Sequence, residues 1–126
     1  EKTLEKGRTQ TSKAIEVIQS AQSLNVFVNW LRYQAGRSSS ETFWRHTPNG
    51  GESLARGLVK KLGELQQTVQ TELNDLEPEL QNQAVMQAAT RFLGYFRRSL
   101  IGAKYLHEIR VPQRASAPTA KEQSDG

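Results

Sequence analysis

The chain predicts an all-α fold: a four- to five-helix bundle with a long C-terminal helical hairpin and a disordered tail. Three observations predict it. Apolar residues recur three and four apart in four separate stretches, which is the helical period. Turn and breaker residues fall between those stretches. The one segment that reads as a strand, Val26-Phe27-Val28, has no partner strand anywhere.

The elements follow in order. Thr3 to Gln22 reads as the first helix, with Leu4, Ala14, Ile15, Ile18 and Ala21 at helical spacing. Gly7 weakens its first turn. Leu24 to Ala35 continues as helix, with Phe27, Trp30 and Leu31 on one side, and Ser23-Leu24-Asn25 either breaks or bends the chain between the two. Gly36 reads as a C-terminal cap. Ser38-Ser39-Ser40 opens a loop, Glu41 to His46 has room for one helical turn, and Thr47-Pro48-Asn49-Gly50-Gly51 is a strong turn signal.

The next helix runs from about Glu52 to Leu76. Leu54, Leu58, Leu62, Leu65, Val69, Leu73 and Leu76 form a seam close to a heptad repeat. Gly57 and Gly63 either cost helicity there or admit a close neighbour. Asp75-Leu76-Glu77-Pro78 ends that helix and starts the last one, from about Pro78 to Glu108. Pro78 suits the first helical position, and Glu79 suits the positive end of the helix dipole. The short link makes the two helices an antiparallel hairpin. Pro112 stops anything further, and Gln113 to Gly126 is polar and rich in Ala, Ser and Pro. Residues 1–110 are thus expected to form the bundle and residues 111–126 the disordered tail.

Composition narrows the function. At 126 residues the chain is one domain with a modest core. No run of about 18 apolar residues is present, so no transmembrane helix and no membrane partner is expected. The opening Glu1-Lys2-Thr3-Leu4 has neither an initiator Met nor the apolar segment of a signal peptide, and a cytoplasmic location is the expectation. The absence of cysteine excludes disulfides, thiol catalysis and Cys-ligated zinc.

Charge is distributed unevenly along the chain. Leu62 to Thr90 holds Glu64, Glu72, Asp75, Glu77 and Glu79 with no Lys or Arg. Arg91 to Arg114 holds Arg91, Arg97, Arg98, Lys104, Arg110 and Arg114 against Glu108 alone, and Trp30 to Lys61 is basic as well. The hairpin should therefore have an acidic tip and a basic opposite end. At roughly 100° per residue, Val85, Ala89, Leu93, Phe96, Leu100 and Ala103 share one face of the last helix. Arg91 and Arg98 lie opposite, with Tyr95 nearby, and Arg97 and Lys104 line one flank. No Asp or Glu occurs between Asn82 and Tyr105. A solvated helix would interleave signs for the small gain of i,i+4 pairs. This one does not, which points to an anionic partner.

Candidate nucleic-acid-binding residues are Arg91, Arg97, Arg98 and Lys104 first, then Arg56, Lys60 and Lys61 across the hairpin. Arg37 and Arg45 follow, in an aromatic-basic loop with Phe43 and Trp44 that either stacks bases or closes one end of the bundle. Phe27, Trp30, Phe92 and Phe96 read as core. Catalytic residues, cofactors and metals are not expected. His46 and His107 lack metal-ligand spacing, and Asn49-Gly50-Gly51-Glu52-Ser53 has no preceding strand and no Gly-Lys-Ser. An enzymatic alternative would use Glu72, Asp75, Glu77 and Glu79, which have no His or Lys nearby. A third possibility is a helical adaptor that docks an acidic protein.

Two segments carry a family resemblance, Lys2-Thr3-Leu4-Glu5-Lys6-Gly7-Arg8 and Ala89-Thr90-Arg91-Phe92-Leu93-Gly94-Tyr95-Phe96-Arg97-Arg98. With the size, helical pattern and basic balance, they resemble the small subunit of type I and type III CRISPR effector complexes. The chain departs from that family in its central segment, which here is the Ser-rich loop with Phe43-Trp44. The resemblance implies a non-catalytic protein. Its partners would be other CRISPR effector subunits, further copies of itself, and nucleic acid, either a guide RNA–target duplex or single-stranded DNA or RNA.

Overall fold

A computed structural model describes residues 2–37, 41–48 and 50–102. Among these residues the fold is all-α with no strand. The helices are α1 (Lys2–Ser20), α2 (Leu24–Gly36), the single turn α3 (Glu41–Trp44), α4 (Leu54–Glu72) and α5 (Pro78–Gly102). Lys104, His107, the expected end of the last helix and the expected tail lie outside the described residues.

Helix boundaries follow local chemistry. The chain breaks between α1 and α2, and Ser23 caps α2 by accepting the Val26 N–H. Val26-Phe27-Val28 is therefore helical and not a strand. Gly36 is not a cap but the last helical residue of α2; Arg37 caps instead, in ordinary extended geometry, and its N–H reaches the Tyr33 and Gln34 carbonyls. Gly50 adopts a positive φ, 77°, in the turn before α4. Helix α4 starts two residues later than expected, because Ser53 accepts the Arg56 N–H at 3.2 Å and so fixes the start at Leu54. It also ends earlier, with Leu73 as cap, which leaves Leu76 in the turn and 38% exposed. In α5, Pro78 opens the helix and Glu79 sits in the first turn, as expected.

The apolar faces then pack. Helix α5 meets α1 most extensively and α4 next, so it lies between them. Both pairings are antiparallel: Gly7 at the start of α1 lies against Leu100, while Ile18 and Ala21 share a cavity wall with Met86 and Thr90. Leu58, Leu62, Val85, Ala89 and Leu93 join Ile18, Phe27 and Leu31 in one buried cluster. Each large apolar side chain removed from water there contributes about 1.5–3 kcal/mol.

Gly7 has a packing role as well as a helical cost. A Cβ at this position would come 2.5 Å from Leu100 Cδ2 and 2.9 Å from Phe43 Cε1. Gly63 has nothing within 4 Å of its Cβ position and only costs helicity. The turns are tied by side-chain amides. Gln81 Nε2 donates to the Leu73 and Leu76 carbonyls, each at 3.0 Å, which clamps the α4–α5 turn. Asn82 Nδ2 donates to the Gln22 carbonyl at 2.7 Å and joins that end to the α1–α2 break.

Helix α3 plugs one end of the bundle. Phe43 and Trp44 are both 0% exposed. Their rings pack edge to face with centroids 4.7 Å apart, and Trp44 does the same to Trp30 at 6.5 Å. Trp44 Nε1 donates to Gln10 Oε1 at 3.1 Å, so the one polar atom of the indole is satisfied. Of the two expectations for this segment, bundle closure holds and base stacking does not.

Candidate nucleic-acid interface

Burial of Val85, Ala89 and Leu93 fixes the rotation of α5 about its axis. Arg91, Tyr95 and Arg98 consequently lie on its outer face, all exposed. Tyr95 is 66% exposed. The Arg98 guanidinium carbon lies 5.0 Å from the Tyr95 ring centroid, a cation–π contact on the protein's own surface. A Cβ on Gly94 would meet Arg98 Nη1 at 3.4 Å, an ordinary van der Waals contact, so the guanidinium lies back along the helix over Gly94. The cation is thereby ordered without being neutralised.

Arg97 departs from the expectation that the basic side chains point outward. It is half-buried, and its Nε is shielded from solvent with no hydrogen-bond partner. The reason is helical phase. Arg97 follows Thr90 by two turns on the flank of α5 that packs against α1, whereas Arg91 and Arg98 sit about a quarter-turn or more further round.

Across the α4–α5 hairpin, Lys60 and Lys61 edge an open cavity of about 440 Å³ whose apolar floor includes Leu58, Phe92 and Phe96. These two aromatic rings are partly buried against the core, as expected, and they also line the groove. Lys61 Nζ lies 3.7 Å from Glu64 Oε1, and both side chains are largely exposed, so the pair adds little stability. The Lys60 side chain has no hydrogen-bond or ion-pair partner among the described residues, and neither do those of Arg56 and Arg91. Arg56 lies toward the α2 side of α4.

Arg37 and Arg45 are not part of this groove. Arg45 Nε donates to the Ala35 carbonyl at 2.7 Å and so caps the C-terminal end of α2. Arg37 lies over the Tyr33 ring at 5.5 Å. Tyr33 is 64% exposed and forms a second tyrosine–arginine surface pair that sequence reasoning passed over. The signal was present as Tyr33 and Arg37 at i,i+4 in α2. Arg32 was also passed over; it lines a cavity between α2 and α4 together with Arg56 and Lys60.

The acidic residues Glu72, Asp75, Glu77 and Glu79 are all exposed around the α4–α5 turn. Among the described residues, no three His, Asp or Glu side chains come together to hold a metal ion. Among the same residues no helix is long and apolar enough to cross a membrane. In comparison with known proteins, no family model, no curated protein and no solved structure matches the chain.

Proposed function

We propose that the protein is a non-catalytic nucleic-acid-binding module that holds phosphates along the outer face of α5. The observation that carries this reading is the arrangement of Arg91, Tyr95 and Arg98 on one exposed, acid-free face, with Arg98 ordered on the Tyr95 ring. Unpaired cations neutralise phosphates with little sequence preference, and an exposed ring beside them offers a stacking platform. Lys60 and Lys61, across the aromatic-floored groove, extend the contact along a strand.

The place we propose for this module is a CRISPR effector ribonucleoprotein, alongside guide–target duplex or a displaced strand. Only the segments Lys2 to Arg8 and Ala89 to Arg98 support it. The competing reading, a helical adaptor for an acidic protein, shares the same basic face.

Competition separates the two. A labelled single-stranded oligonucleotide titrated with the full chain should bind, and unrelated DNA or RNA strands should displace it. Log affinity should fall linearly with log salt. Lack of binding to any strand at low salt, with a captured acidic protein that oligonucleotides do not displace, would overturn the nucleic-acid reading.

A further inference from the structure

A second basic site lies between α2 and α4. Arg32 of α2 and Arg56 and Lys60 of α4 line an open cavity of about 640 Å³, with the partly buried Ala35 and Val59 in its apolar wall. That volume falls within the roughly 300–1,000 Å³ of small-molecule sites. Arg56 and Lys60 are four residues apart and therefore share one side of α4. None of the three cationic side chains has a hydrogen-bond or ion-pair partner among the described residues.

Glu52 is the one carboxylate in the lining, so the lining residues carry three positive charges and one negative charge. Its Oε1 lies 3.7 Å from where a Cβ on Gly57 would be, over the first turn of α4, and it borders the neighbouring α4–α5 cavity as well. Two amides at the start of α4 are already satisfied: Ser53 Oγ takes the Arg56 N–H at 3.2 Å, and the His46 carbonyl takes the Leu54 N–H at 2.8 Å. The attraction for an anion comes chiefly from the three cationic side chains in the lining.

We propose that this cavity binds a phosphomonoester, carried by a free mononucleotide or by the end of a nucleic-acid strand. The charge decides the class. A phosphomonoester carries about −1.5 to −2 at pH 7, which matches the excess of two positive charges in the lining. An internal phosphodiester carries a single charge and leaves half of that excess unmet. Two guanidinium forks and one ammonium supply enough donors for three phosphoryl oxygens. The apolar wall and the remaining volume accommodate the attached nucleoside. Where the phosphate belongs to a strand, the proposal rests on the nucleic-acid-binding reading above; where it belongs to a mononucleotide, it stands by itself.

The test uses the full chain and three internally labelled oligothymidine strands of equal length, with a 5′-phosphate, a 3′-phosphate, or hydroxyls at both ends. Fluorescence anisotropy should show one phosphorylated strand bound about tenfold more tightly than the hydroxyl-ended strand, the scale of one charged hydrogen bond. Excess AMP should erase that difference. Arg32→Gln should abolish it and leave binding of the hydroxyl-ended strand unchanged. Arg32 is exposed, so the variant keeps the core.

Calorimetric titration with AMP, using parent and Arg32→Gln proteins, distinguishes the sources. Arg32-dependent binding of AMP without any preference among strand ends identifies the free mononucleotide as the ligand. Loss of all strand binding with AMP binding retained overturns the nucleic-acid reading and supports the cavity. Equal affinity for all three strands, with no Arg32-dependent binding of AMP, overturns the proposal.

Discussion

Two short segments look alike in sequence and have opposite fates in the fold. Phe43-Trp44-Arg45 and Tyr95-Phe96-Arg97-Arg98 both set aromatic rings beside arginines. In the first, both rings are fully buried and the arginine caps a neighbouring helix. In the second, the helical period separates the residues. Phe96 turns toward α4, Arg97 is half-buried, and Tyr95 and Arg98 turn toward solvent. Composition therefore does not make an aromatic-basic segment a binding surface. What decides is whether neighbouring elements claim each side chain before a ligand can.

The comparison breaks most visibly in stability measurements. Trp44→Ala should lower unfolding free energy by about 3–5 kcal/mol, because it empties a fully enclosed site and leaves Gln10 unpaired. Tyr95→Ala should stay within about 0.5 kcal/mol of the parent, since its ring is largely in water. Urea denaturation of the two variants measures the contrast, and equal losses would mean that the second segment is packed as the first is.

Gly7→Ala comes next. The added methyl meets Leu100 and the enclosed Phe43 ring, and overpacking of this kind costs about 1–3 kcal/mol. Arg45→Gln should cost about 1 kcal/mol through the lost bond to the Ala35 carbonyl, with strand affinity unchanged. A clear loss of strand binding in that variant would return the α3 segment to the interface. Smallest is Gly63→Ala, which should stabilise by about 0.5–1 kcal/mol, because it removes a helix-interior glycine with open space around it.

Much of the fold is legible in the sequence. The spacing of Leu54, Leu58, Leu62 and Val69 identified α4, and Pro78 with Glu79 marked the start of α5. Hydrophobic periodicity states which face of a helix is buried but not against what. The dominant pairing of α1 with α5 was therefore hidden, and with it the packing role of Gly7 and the half-buried position of Arg97. Helix α3 is too short to show a period, so only packing could choose between closure and stacking for Phe43 and Trp44. Gly36 misled because a glycine near a helix end usually adopts positive φ, whereas Arg37 caps α2 without it.

For the candidate interface, Arg91 and Arg98 were legible because they lie opposite a clear apolar face. Arg32, which belongs to the separate α2–α4 cavity, was not legible, since its place there depends on α4 bringing Arg56 and Lys60 to the same cavity.

The central claim is that the outer face of α5 holds phosphates, and a double substitution reads it directly. Single-strand affinity of Arg91→Ala/Arg98→Ala and of the parent should be measured across a salt series, with circular dichroism to check that helicity is equal. Each lost phosphate contact lowers the magnitude of the log–log salt slope by about 0.7 for single strands. The account predicts weaker binding to every sequence alike, a slope shallower by up to twice that amount, and an unchanged fold. A folded double variant that binds as tightly as the parent, with the same slope, would contradict it.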